Sequence, residues 1–203
     1  TPPEARRAYE ELKEEESPTI TVAPSLHSIH ASTHEAVAEG LRLAFRDDRP
    51  LQFHLSEDRQ DVELCLEKEG LRPIAVLEKL LLTGEVPSLE PLVLSDCCWI
   101  DDDERRIVAE RGMKVVLNAR MNDRVKTGET DVPALLARGI IPWLGTDGEA
   151  SNDDLSVEGE RRYLARRWGL GNDFVESLGR SPFPMGRGTV GTLSVGAFAD
   201  LVG

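Results

Sequence analysis

Five apolar segments alternate with helical ones along this chain, and that alternation leaves few folds open. "TITVAP" (Thr19–Pro24), "LQFHL" (Leu51–Leu55), "LVLSD" (Leu92–Asp96), "KVVLN" (Lys114–Asn118) and "IIPWLG" (Ile140–Gly145) read as strands, short and rich in aliphatic residues. Apolar residues at helical spacing mark helices over His34–Phe45, Asp61–Gly70, Ile74–Gly84, Asp101–Gly112, Val132–Gly139 and Val157–Gly169, several closed by a glycine. The charged opening "TPPEARRAYEELKEEE" reads as a further helix. Strands that alternate with helices pair in parallel, because the crossover returns each strand to the same end of the sheet. The strands are nearly all apolar, which predicts cover on both faces. The expected class is α/β.

The polar exceptions collect at strand C-termini: His54, Asp96, Asn118 and Asp147. Ligands of parallel α/β folds bind at that edge, in a barrel or an open sheet alike. Asp147 lies in "LGTDGEASNDDL", between glycines at the end of an apolar run, where it either binds a ligand or caps a helix. Glu57 follows His54 in "HLSE". A histidine with a glutamate beside it at a strand end suits a metal ligand next to a general acid–base, and an imidazole–carboxylate pair can hold a divalent cation that activates water.

Composition narrows the partners. The net charge of −13 and pI near 4.8 would repel a polyanion, so nucleic acid is not expected. No apolar run approaches the roughly 18 residues of a membrane span, and the charged start is not expected to act as a signal peptide. Cys65, Cys97 and Cys98 form no disulfide framework, which points to a reducing, cytoplasmic setting. A chain of 203 residues that starts at Thr1 rather than Met is expected to be processed, trimmed or part of something longer.

In collinear order, "HLSE", "RP…VLEKLLLTG", "SDCCWIDDDE", "VVLN", "PALLARGIIPWLGTDGEASNDDL" and "GTLSVGAFADLV" resemble the amidohydrolase superfamily, in its deaminase and chlorohydrolase branch. The resemblance implies a (β/α)8 barrel beside a small β-sandwich, of which this chain carries about strands four to eight, a partial TIM-like barrel. It implies a barrel part over residues 1–180 and a connection toward the sandwich over 181–203. It also implies hydrolysis of a C–N bond, most readily deamination of a purine-like or related heterocycle. His54 then matches the fifth-strand metal ligand, Glu57 the glutamate that moves protons, and Asp147 the eighth-strand carboxylate that binds metal and takes a proton from water. Zinc is the first expectation for the metal and iron the second. Asp96, His27, Asn118 and Arg72 are further candidates, Asp96 for catalysis and the other three for substrate binding.

Departures from the family pattern carry equal weight. The chain has four histidines, His27, His30, His34 and His54, and no HxH pair. Asp96 stands where the resemblance expects the sixth-strand histidine, Val22 replaces the histidine of a "HAPYT" segment, and Leu117 that of "HNPxSN". Three readings stay open: a metal-dependent hydrolase of a small molecule, a degenerate relative that binds or scaffolds, and an unrelated open α/β binding protein. Five strands cannot close an eight-stranded barrel, so the remaining half, another chain or a second copy is expected to complete it.

Overall fold

A computed structural model describes residues 2–17 and 20–171, with Phe174, Val175, Leu178 and the short pieces Phe183–Pro184 and Thr189–Val190. In chain order the elements are α1 (Pro2–Lys13), β1 (Ser25–Ser28), α2 (His34–Asp47), β2 (Leu51–Leu55), α3 (Arg59–Glu69), α4 (Pro73–Leu82), β3 (Leu92–Asp96), α5 (Asp102–Glu110), β4 (Lys114–Leu117), α6 (Ala119–Val125), α7 (Val132–Ala137), β5 (Trp143–Leu144), α8 (Val157–Trp168), β6 (Phe183–Pro184) and β7 (Thr189–Val190). Strands β1 to β5 form one sheet in that spatial order, every pair parallel. This is the sequential winding of a (β/α) barrel rather than the reversed order of a doubly wound sheet.

The helices close against one face. Leu51, Phe53 and Leu55 of β2, Leu92 and Leu94 of β3, and Val115 and Leu117 of β4 are buried with Leu41 of α2, Leu77 of α4, Val108 of α5 and Leu135 of α7. Burying each such side chain contributes roughly 1.5–3 kcal/mol. The expectation of cover on both faces holds at β3 but not at β2 or β4, where Gln52 and Lys114 are exposed and His54 and Val116 are half-buried. An arc of five strands does not close on itself, so its inner face meets solvent. His54, Ser95, Val116 and Trp143 lie in one cross-strand row on that face.

Caps explain most helix limits. Asp58 and Asp101 form capping boxes with Asp61 and Glu104, and Ser156 caps α8. Gly70 and Gly169 end α3 and α8 in the left-handed conformation. Two local expectations change. The first strand runs over Ser25–Ser28, not Thr19–Pro24, because those residues meet β2 in register, Ser25 opposite Gln52 and Ser28 opposite His54. A short helix, α6, follows β4 where the helical spacing of the sequence marks none. Of the tail, Phe183–Pro184 and Thr189–Val190 pair as an antiparallel ribbon. The "GTLSVGAFADLV" segment lies outside the described residues.

Candidate active site at the strand ends

The site is built from strained exits. Ser56 after β2, Asp96 and Cys97 at the end of β3, and Asp147 beyond β5 all have positive φ, between 48° and 75°, a region that non-glycine residues seldom enter. Backbone bonds hold two of these exits together: Cys97 N–H donates to Leu55 O and Trp99 N–H to Ser56 O, each at 3.0 Å.

His54 is oriented by the neighbouring strand. Its Nδ1 lies 3.0 Å from the backbone oxygen of His27, and a carbonyl can only accept, so Nδ1 carries the hydrogen. The lone pair of Nε2 is then free, the tautomer a metal-binding imidazole needs. The His27 ring sits 5.2 Å from that of His54, and Ser28 Oγ lies within hydrogen-bond reach of both His27 and His30. His30 also meets Asp61 at 3.0 Å, and His34 opens α2.

Glu57 is half-buried in the loop after β2. Its carboxyl is pushed up to about 7, first by burial and then by the negative charge of Asp96, with Asp61 and Asp147 adding to the rise and His54 opposing it. His54, Glu57, Asp96 and Asp147 thus all lie at the C-terminal ends of the parallel strands or in the loops that follow them. Asp147 is exposed, and its Oδ1 accepts from Gly148 N–H at 2.6 Å. It does not cap a helix: that work falls to Ser156.

Asp96 is wholly buried. Its Oδ1 accepts from the side-chain amides of Asn118 (2.9 Å) and Asn122 (3.2 Å), while Thr130 Oγ1 donates to its backbone oxygen. Burial raises its pKa and the two amides oppose the rise. Gly145 makes the Asn118 contact possible, since a Cβ there would lie 2.4 Å from Asn118 Oδ1.

Arg72 and Asn118, the other expected substrate contacts, have protein partners. Arg72 pairs with Asp101 and with buried Glu104 at 2.8 and 2.7 Å, where it ties the starts of α4 and α5. Asn118 turns its amide onto Asp96. Of the positions where imidazoles are replaced, Leu117 is buried in the apolar core and Val22 lines a groove against α1. Sequence reading did not place Asn122, one helical turn beyond Asn118, against Asp96, because α6 is too short to show a period. It missed buried Glu160, whose carboxylate accepts from Arg120 N–H and from Asn152, which in turn donates to Thr146 O and holds the loop around Asp147. In "GERRY" that residue looks like any surface charge.

Among the described residues no three His, Cys, Asp or Glu side chains are grouped to hold a metal ion. His54 and Asp147 fit as two ligands of a larger set, the imidazole by its tautomer and the carboxylate by its accessibility.

Comparison with known proteins gives a consistent picture. A family profile described as the amidohydrolase family matches residues 3–202. The chain is 33% identical over 199 residues to a 5-methylthioadenosine/S-adenosylhomocysteine deaminase of Syntrophobacter fumaroxidans, covering 92% of this chain and 44% of that protein. It is 34% identical over 155 residues to a 5'-deoxyadenosine deaminase of Methanothermobacter thermautotrophicus, 76% of this chain and 35% of the relative. Among solved structures, an adenosine deaminase from Xanthomonas campestris with bound zinc superposes with a TM-score of 0.78 at 25% identity, over 97% of this chain and 46% of that one. The chain thus spans less than half the length of the relatives it matches.

Proposed function

The chain belongs to the amidohydrolase family, and we propose that its site serves the hydrolytic deamination of an adenosine-like heterocycle. The observation that carries the reading is the convergence of His54, Glu57, Asp96 and Asp147 at the C-terminal ends of parallel strands, with a proton-holding carboxyl among them. The names of the relatives support the substrate class.

His54 Nε2 and the Asp147 carboxylate would hold a divalent metal, with further ligands from outside the described residues. Zinc is favoured, since it is bound in the similar adenosine deaminase, and iron comes second. A cation bound there would lower the pKa of water to about 7. Asp147 would take one proton of the attacking water and pass it to the departing amine. Glu57, poised near 7, would give its proton to the ring nitrogen and regain one from the hydroxyl left on the ring carbon, so that ammonia leaves and a carbonyl remains. His27 keeps His54 in its working tautomer and stands at the rim, within reach of a ligand.

The domain division at 180/181 is part of the same reading, supported by the β6–β7 ribbon. So is completion of the barrel by further polypeptide, in the same chain, another chain or a second copy. The free thiols of Cys65, Cys97 and Cys98 suit a cytoplasmic protein, and no helix among the described residues is long and apolar enough to cross a membrane.

The test is metal analysis with ammonia release from adenosine, 5'-deoxyadenosine and 5-methylthioadenosine on the full chain. Bound zinc, and ammonia release abolished by His54→Ala, are the expected results. No bound metal together with no effect of His54→Ala would end the hydrolase reading. The absence of a complete ligand set among the described residues, with Asp96, Val22 and Leu117 at imidazole positions, favours a second reading: a degenerate relative that binds without turnover.

A further inference from the structure

Asp96 is the carboxylate of this site with a buried oxygen that has no hydrogen-bond partner among the described residues. Both available amides, from Asn118 and Asn122, go to Oδ1, and Oδ2 is left bare. Leaving a buried carboxylate oxygen unpaired costs free energy, and native structures rarely do so without a function. The side chain is not needed to anchor the strand end, because Thr130 and the Cys97–Leu55 bond already hold the backbone there. No neighbouring cation serves Oδ2 either: Arg72 is tied to Asp101 and Glu104. Asp96 pairs in register with Leu55, next to the His54–Ser95 pair, so its carboxylate lies at the same strand-end edge as His54. A group that enters there must bring its own donor.

We propose that Asp96 is a specificity-determining residue whose Oδ2 accepts an N–H from the bound ring, so that the site takes an amino-substituted nitrogen heterocycle and discriminates against the same ring without the amine. The ring class rests on the deaminase reading above. Asn118 and Asn122 act as positioning residues, since they fix Oδ1 and thereby aim Oδ2.

The test compares adenosine with purine riboside, which lacks only the amine, by calorimetric titration of the full chain freed of metal so that nothing turns over. The unchanged protein is expected to favour adenosine by about tenfold or more, the scale of one hydrogen bond to a charged acceptor. In Asp96→Asn the ratio should fall to within about twofold while Tm stays level or rises, because a buried charge is removed. An unchanged ratio with a lowered Tm would make Asp96 a structural peg and overturn the assignment, as would a failure of the unchanged protein to bind adenosine. Should Asp96→Asn not fold, Asn118→Ala decides: a loss of discrimination of about threefold supports the proposal and an unaltered ratio refutes it. Ammonia release from the metal-loaded protein separates the two readings. Discrimination without release removes the deaminase reading alone, and release with equal binding of the two nucleosides removes the role of Asp96 alone.

Discussion

Glu57 is the residue at which chemistry and stability meet. Its carboxyl sits near 7 because burial and Asp96 disfavour its charge. A group whose folded pKa is raised stabilises the fold fully below its unfolded value and loses that contribution as pH rises through the folded value. Stability should therefore fall between about pH 4.5 and 7, and Glu57→Gln should flatten that slope in chemical denaturation of metal-free protein at stepped pH. The same substitution should lower turnover about 10²–10⁴-fold, because the neutral amide cannot pass a proton. Gly145→Ala tests the packing behind the site. The added methyl would meet Asn118 Oδ1 and Val116 Cγ1, so a loss of about 1–3 kcal/mol is expected in urea unfolding.

Elements are joined by a few buried carboxylates rather than by apolar contact alone. Glu104 at the start of α5 accepts from Ile74 N–H, Asp101 N–H and the Arg72 guanidinium, and so fixes α4 to α5 at the strand-end side of the sheet. Glu104→Ala should cost about 1–3 kcal/mol, since it leaves two backbone amides without their acceptor and Arg72 with Asp101 as its remaining carboxylate partner. A shifted urea midpoint with unchanged m would check this. Glu160 does comparable work between α8, the start of α6 and the loop that carries Asp147. Neither glutamate announces itself in the sequence, because partners 30 to 40 positions away decide whether a helical glutamate is buried or solvated.

At the scale of the molecule, β1 and β5 are the edges of a parallel arc, and a groove of about 610 Å³ runs between α1, β1 and α2, lined by Tyr9, Leu12, Val22, Leu26 and Leu43 among others. Unpaired edges beside apolar surface promote association. The 203-residue chain produced alone should therefore self-associate in size-exclusion chromatography with light scattering, and co-expression with a complementary barrel half should convert it to a defined species. A stable monomer of the chain alone would count against barrel completion.

The alternation of period-two and helical segments was enough to determine a parallel α/β sheet, the limits of β2 and β3, and the strand-end address of His54, Glu57, Asp96 and Asp147. Those properties are local, set by side-chain periodicity, capping residues and chain reversal. Only the tertiary structure decided where β1 begins, that Arg72 belongs to a helix–helix tie, that Asn118 and Asn122 face Asp96, and that one oxygen of Asp96 has no hydrogen-bond partner among the described residues. Each depends on register between strands and on burial against distant segments. Desolvation then acts on whatever charge that packing encloses, a quantity no single stretch of sequence contains.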